Sequence, residues 1–276
     1  MTPQILIEDG PVLVMNKPAG LATEAPAGAP SLVEWVKGYL KEKYQKPGNV
    51  YLGVPHRLDR PVSGVVVMTR NSKAAARMAE QFRDRQVKKI YLAVLERTPE
   101  PASGSLLHWV SKNTEGKAEI VEPRRADAKE CFLRYETLGV FEAGALVEIE
   151  LGTGRYHQIR VQMSAAGWPV VGDVVYGGRE FGVRRSEFGV KNEEREVEAS
   201  VLDSERRTTN SELHSRNEKG PSREGPLLLH ARRLTFFHPI RYDLVSASAS
   251  LPDHWPADVR AVVADAETGL DLHPHP

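Results

Sequence analysis

The amino-acid sequence predicts a single α+β domain built on a mixed sheet. Short aliphatic segments with strand character recur along the chain, and amphipathic stretches with helix-start signals lie between them. At 276 residues the chain suits one large domain or two small ones. No internal repeat is visible.

The elements follow in order. Gln4–Glu8 reads as a strand, Asp9–Gly10 as a turn and Val12–Asn16 as a second strand, stopped by Lys17-Pro18-Ala19-Gly20. A helix is predicted over Ser31–Tyr44. Ser31 suits the N-cap with Glu34 three residues on, and Leu32, Val33, Trp35, Val36, Tyr39 and Leu40 cluster on one face. Gly64–Thr69 is aliphatic enough for a strand buried on both faces. Asn71 or Ser72 caps a helix expected to reach Arg85, with Ala75, Met78, Ala79 and Phe82 on its apolar stripe. Lys89–Leu95 is a strand. The strand-and-helix order recurs in modified form at Leu146–Leu151 and His157–Ala166, and a late strand covers Leu227–Phe237.

Residues 180–225 depart from this pattern. Of the 46, 20 are charged, so the segment cannot bury enough apolar surface to offset the entropy of ordering. It is expected to be a charged, largely disordered surface insertion splitting two halves of one domain over residues 1–276.

Composition excludes several classes. A 41% hydrophobic and 27% charged chain is ordinary for a soluble globular protein. No apolar run approaches the roughly 20 residues needed to cross a bilayer, and acids stand near the N-terminus where a signal peptide carries bases. The single cysteine, Cys131, allows no internal disulfide and no cysteine-rich zinc site. A cytoplasmic, membrane-free protein is expected. Net charge is zero, yet residues 70–89 hold seven bases (Arg70, Lys73, Arg77, Arg83, Arg85, Lys88 and Lys89) against Glu80 and Asp84. Local potential of this kind counts for more than the sum.

The segment richest in chemistry is Pro55–Gly64, PHRLDRPVSG, which joins a loop to a buried strand. A Ser63–His56–Asp59 triad is disfavoured, because three neighbours on one short loop rarely reach relay geometry. One histidine and one aspartate fall short of a metal site. A carboxylate nucleophile at Asp59, beside Arg57 and Arg60, remains, as does a plain turn capped by its own aspartate.

HRLDRPVSG resembles the catalytic motif of the RluA-type pseudouridine synthases, HRLD followed by two residues and TSG. Four further segments resemble that family in the expected order: ILIEDGPVLVMNKPAGL at 5–21, KKIYLAV within 83–94, GTGRYHQIRVQMSAAGWPVVGDVVYG at 152–177 and LHARRLTFFHP at 229–239. Val62 and Tyr156 stand where threonine is usual, and Gln162 where histidine is usual.

The resemblance implies a mostly antiparallel central sheet flanked by helices and loops, and a catalytic domain without the small N-terminal RNA-binding domain of many relatives. It implies isomerisation of uridine to pseudouridine in structured RNA (tRNA or rRNA) after base flipping, with no cofactor and no metal. Asp59 would be the nucleophile, with Arg160 its ionic partner holding it ionised. Tyr91 would stack on the flipped base and assist removal of the carbon 5 proton. Arg57 would fill the vacated place in the RNA, while His56, Arg60, His157 and Gln158 would support substrate binding, the two histidines mainly by ordering loops. A monomer is the expected state. The rival expectations are an RNA-binding protein of this fold without catalysis and a hydrolase that releases the base.

Overall fold

In the computed structural model the chain opens with an antiparallel hairpin, β1 (Gln4–Asp9) and β2 (Val12–Lys17), turning at Gly10 with its φ of +50°. Residues 2–181 and 226–270 are described, 265–270 by backbone alone, and all belong to one compact unit. The charged segment expected at 180–225 lies, from residue 182 to its end, outside the described residues. Helix α1 (Leu32–Lys43) begins at Ser31, whose side chain accepts from the Glu34 amide at 3.2 Å, as its spacing predicts. Strand β3 (Ser63–Thr69) is buried along its whole length.

Helix α2 (Ser72–Arg83) is capped by Asn71 and ends two residues before the expected Arg85. There the chain turns left-handed, with Arg85 at φ +58°, and the Gln86 amide donates back to the Gln81 carbonyl. Such a closure satisfies the last carbonyls and stops the helix. Strand β4 (Lys88–Leu95) follows, and then three strands the sequence reading did not separate: β5 (Ser103–Lys112), β6 (Ala118–Val121) and β7 (Lys129–Phe141). On β7, Cys131, Leu133 and Tyr135 turn inward, between Glu130, half-buried Phe132, Arg134 and Glu136 on the other face, so only a short apolar run marks it. Strand β8 (Gly144–Leu151) leads to α3 (Gln158–Ala165), and β9 (Leu229–Phe237), β10 (Leu244–Ser248) and α4 (Ala257–Leu270) close the chain.

The strands form one sheet in the order β1-β2-β3-β9-β4-β8-β7-β5-β6, with β10 pairing onto β9. Among the described residues every pairing is antiparallel except β3 with β9, so the sheet is mixed and mostly antiparallel, as expected. Strands β2 and β3 alternate their side chains between two cores. Leu13, Met15, Val66 and Met68 pack with Leu32, Val36 and Leu40 of α1. Val12, Val14, Val65 and Val67 pack with Met78 of α2 and with Leu234 and Phe236 of β9. Burial on both faces is why these strands read as unbroken aliphatic runs. Among the described residues no helix is long and apolar enough to cross a membrane.

The parallel contact is short, Ser63 to His230 and Gly64 to Ala231, and it requires glycine. Gly64 has φ +116°, and a Cβ there would lie 2.2 Å from the Ala231 carbonyl oxygen. Gly64→Ala is therefore expected to destabilise the fold by on the order of 3 kcal/mol, combining backbone strain with a clash against main chain. A urea midpoint equal to the parent's would refute this.

Candidate active site

The loop before β3 carries Asp59, and two neighbouring segments hold it from behind. Thr23 exchanges hydrogen bonds with Leu58, its Oγ1 donating to the carbonyl at 2.9 Å and accepting from the amide at 3.1 Å. The Gly20 amide donates to the Arg60 carbonyl at 2.8 Å, and Lys17 Nζ donates to the carbonyls of Pro18, Leu21 and Arg60 at 3.0, 2.7 and 3.2 Å. Lys17 is fully buried. Burial pushes its ammonium down to about 7, while the Asp59 charge pulls it back up. The NKPAGL turn thus acts as a clamp on the loop, a role that spacing alone did not reveal. Inside the loop, the Val62 amide donates to the Asp59 carbonyl at 3.1 Å. At its end Ser63 Oγ meets His230 Nδ1 at 2.8 Å, and His230 Nε2 donates to the Ala249 carbonyl. With that proton on Nε2, Nδ1 accepts from the Ser63 hydroxyl.

Asp59 faces a cleft lined by Arg57, Leu58, Val62, Tyr91, Leu151, Gly154, Arg155, His157, Gln158, Ile159, Arg160 and Leu229. Its side chain is 26% exposed, so one edge is open to a substrate. Arg160, 3% exposed on α3, places NH1 3.7 Å from Asp59 Oδ2. The rest of that guanidinium is committed elsewhere. Nε and NH2 donate to Asp173 Oδ2 and Oδ1, both at 2.8 Å, and Asp173 is fully buried. This bidentate fork fixes the plane of the arginine and leaves NH1 to point at Asp59. Asp173 is the functional residue that the sequence reading missed. It lies in the GDVVYG segment, and its signal was an acid in an otherwise apolar stretch.

Electrostatics corrects one expectation. Arg160 was expected to reverse the desolvation of Asp59, but burial dominates and raises the carboxyl above the usual carboxylate range. Asp173 pushes the same way, whereas Arg160 and Lys17 pull against it. Arg160 shares its charge with Asp173, so the offset is incomplete. Tyr91, on β4, lines the same cleft, and burial together with the Asp59 charge raises its phenol well above the ordinary value. The ring is therefore a neutral O–H group in the resting protein.

The remaining predicted residues divide. Arg57 is exposed at the cleft mouth. His157, at the start of α3, has Nε2 3.4 Å from Asp59 Oδ2. Gln158 reaches the cleft wall, but its amide is spent on the loop before it. Its oxygen accepts from Thr153 Oγ1 and the Arg155 amide, and its nitrogen donates to the Phe132 carbonyl. His56 turns inward, where Nε2 accepts from the Val67 amide at 3.0 Å and the ring stacks on Phe82 at 4.6 Å. Arg60 donates to the Gly20 carbonyl at 2.9 Å. His56 orders its loop, as expected, and the bonds of Arg60 and Gln158 also hold loops, Arg60 Nε at the Gly20 carbonyl and the Gln158 amide at Thr153, Arg155 and Phe132. Ser63, His56 and Asp59 likewise form no relay, since Ser63 pairs with His230 instead.

Several bases of 70–89 are engaged by partners within the chain. Arg70 pairs with Glu8, Arg83 with Glu80 and Asp84, and Arg77 donates to the Pro239 carbonyl. Lys89 Nζ donates to the carbonyl of Thr153, the residue before Gly154 of the cleft wall, at 3.0 Å. Burial, with Arg85 and Arg155 close by, pushes it down to about 8.

The sequence model of the RNA pseudouridylate synthase family matches residues 11–165, more than half of the chain. A ribosomal large subunit pseudouridine synthase D of Xanthomonas campestris pv. campestris is 31% identical over 275 residues, covering 97% of this chain and 72% of that protein. A protein of the same name from Xylella fastidiosa is 37% identical over 181 residues, 63% of this chain and 51% of that one. Among solved structures, human RNA pseudouridylate synthase domain containing 4 superposes with a TM-score of 0.65 at 25% identity, over 94% of this chain and 91% of that one.

Proposed function

The chain belongs to the RNA pseudouridylate synthase family and is an RNA pseudouridine synthase, an isomerase, and on that premise we propose that Asp59 is its nucleophile and ribosomal RNA of the large subunit its substrate. One observation carries the assignment of Asp59. It is the carboxylate on the cleft floor that stays open to a ligand while Arg160, itself aimed by Asp173, faces it. The substrate proposal rests on relatives that match nearly the whole chain and carry a ribosomal name. We place the protein in the cytoplasm, as a monomer. Residues 1–276 are proposed as one catalytic domain interrupted by the charged segment 180–225.

The reaction breaks the glycosidic bond from the ribose to N1 of uracil, turns the base, and rejoins it through carbon 5. A proton leaves carbon 5 and N1 gains one, so the RNA mass does not change. Asp59 bonds to the ribose anomeric carbon or to the base and holds that fragment while the other turns. No electron donor or transferred group is needed. The uridine first leaves its stack, at a cost of a few kcal/mol. Arg57 at the mouth is placed to enter the vacated position. Arg155, which lines the cleft, and Arg85 set like charges close to Lys89, and a phosphate beside them relieves their mutual repulsion.

Tyr91 packs beneath the flipped base. Its phenol is held neutral in part by the Asp59 charge, and covalent attachment of Asp59 removes that charge. That eases loss of the phenol's own proton, after which the phenolate oxygen takes the proton from carbon 5 and the released proton is available for N1. Tyr91→Phe is expected to bind RNA normally and cleave the glycosidic bond but to lose roughly 10²-fold or more in product formation. Turnover at the parent rate would reduce Tyr91 to packing.

The function is tested by incubating the purified protein with large-subunit ribosomal RNA and, separately, with bulk tRNA, then mapping pseudouridine by carbodiimide adducts. New pseudouridine in the ribosomal RNA at unchanged mass is the expected result. Modification of tRNA alone overturns the substrate assignment, and loss of uracil overturns the isomerisation.

A further inference from the structure

Lys89 and Tyr91 stand two residues apart on β4, and strand side chains alternate between faces, so both project from the same side of the sheet. Nothing interrupts the alternation. Against β8 the register is regular, with Ile90 opposite Glu150 and Tyr91 opposite Ile149. Against β9 it shifts, but Ile90 meets Arg233 and Tyr91 meets Ala231, so the extra residue belongs to β9. Tyr91 lines the cleft, which places the start of the Lys89 side chain one pleat away, roughly 7 Å along the strand. Lys89 Nζ then reaches the Thr153 carbonyl at 3.0 Å, just before Gly154 and Arg155, which line the same cleft.

The charged neighbours of Lys89 are cations. Burial first, then Arg85 from the turn after α2 and Arg155 from the loop before α3, push its ammonium down to about 8. His56, from the catalytic loop, is held neutral by burial and by the Lys89 charge, at about 3. Tyr91 keeps its phenol proton, and Leu234 lies opposite on β9. The nearby acids are engaged elsewhere. Glu130 of β7 pairs with Arg85 at 3.8 Å, and its carbonyl accepts from Arg155 Nε at 3.0 Å. Glu150 faces the other side of the sheet with Ile90 and pairs with Lys88 at 3.3 Å. Among the described residues neither Lys89 nor Arg155 has a carboxylate partner. An ammonium carries three donors, and the Thr153 carbonyl uses one of them. The desolvation that Lys89 suffers here is a cost in the free protein, and an anion from outside offsets it.

We infer that Lys89, with Arg85 and Arg155 beside it, forms a seat for one backbone phosphate of the RNA strand, next to the cleft that receives the base. The inference rests on the RNA reaction proposed above and adds the path of the sugar–phosphate chain, past the Thr153–Arg155 loop. The bond to Thr153 fixes the direction of the ammonium, and its remaining donors serve a phosphate oxygen. Arg155 spends Nε on the Glu130 carbonyl, which leaves the other guanidinium nitrogens for a second oxygen. Such a seat reads no base and carries no sequence information. Its role is positional, because a phosphate held there also holds the ribose and base attached to it.

The seat is tested on the fragment of large-subunit ribosomal RNA in which the protein forms pseudouridine. Lys89→Met is expected to weaken binding of that RNA roughly tenfold or more, the worth of a hydrogen bond to a charged group. The slope of log affinity against log salt should become shallower by about 0.7–0.9, one phosphate contact. Lys89→Arg keeps the charge and should restore the slope. A pH series separates contact from packing. The free ammonium loses its proton as pH rises through about 8, whereas a phosphate-bound one retains it, so affinity of the parent should fall across that range. Lys89→Arg stays charged and should flatten that fall. Replacing the phosphates beside the uridine one at a time by uncharged methylphosphonate should weaken the parent at one position and cost Lys89→Met nothing further there. An unchanged salt slope in Lys89→Met, or the same alkaline fall in the parent and Lys89→Arg, overturns the seat while pseudouridine formation by the parent leaves the function standing. A parent that forms no pseudouridine in any RNA overturns the function and the seat with it.

Discussion

Asp59→Asn is expected to abolish turnover, lowering kcat by about three orders of magnitude or more, while RNA still binds. The amide keeps the shape of the loop, because the contacts that hold it run through Thr23, Gly20 and Lys17 to main-chain atoms of Leu58 and Arg60, not through the carboxylate. The same change is expected to leave thermal stability unchanged or to raise it at neutral pH. Burial raises the Asp59 carboxyl in the folded chain above its unfolded value. The folded state then binds more protons than the unfolded one between those two values, so stability falls as pH rises through that window. Asparagine removes this cost. A variant that melts several degrees lower at pH 7 would show that the carboxylate supports the fold and is not held there against it. The sign also fixes the pH–rate profile. The nucleophile must be ionised, so kcat/KM is expected to fall with acid at a midpoint above the ordinary carboxylate value of about 3.9. A limb centred at or below that value would contradict the desolvated site.

Asp173→Asn is expected to damage both stability and rate. Asp173 and Arg160 are buried together, with two 2.8 Å bonds between them. Removing one member of such a pair leaves an uncompensated buried charge and costs about 3–5 kcal/mol. For a chain of this size that corresponds to a fall in melting temperature of roughly 6–20 °C. Turnover should fall as well, since the arginine loses the fork that aims NH1 at Asp59. Part of that loss is offset, because Asp173 is among the groups that push the Asp59 carboxyl up. The acid limb should accordingly move to lower pH in the variant. A melting temperature within about 2 °C of the parent would show that the pair is not the anchor described.

Much of the frame was legible in the sequence because it rests on local rules. The hairpin 4–17, the Ser31 and Asn71 caps, and the aliphatic β3 each follow from period, cap chemistry and turn residues within a window of a few residues. Strands β5 to β7 were not separated, because one face of each meets solvent and polar side chains dilute the pattern. The end of α2 at Arg83 depended on a left-handed closure at Arg85, a residue type with no preference for that conformation. At the site, Asp59, Tyr91, Arg57, Arg160 and His157 were selected and do gather at one cleft. His56 and Arg60 were selected with them, but their side chains turn to main-chain partners. Residue type gives no indication of which way a side chain on a loop will face.

By itself the sequence determined the α+β class, the family, and the carboxylate on which the chemistry is proposed to turn, since these depend on residue types at short, ordered spacings. Only the tertiary structure decided that Asp173 aims Arg160, that Lys17 clamps the loop from behind, and that Lys89 reaches Thr153. Each of these joins residues from separate segments, and the directions of their hydrogen bonds exist only once the chain has brought those segments within about 3 Å. The charge state of Asp59 belongs to the same class. Its pKa is set by burial in the cleft and by Arg160, Lys17 and Asp173 around it, a property of the packed protein and not of any stretch of sequence.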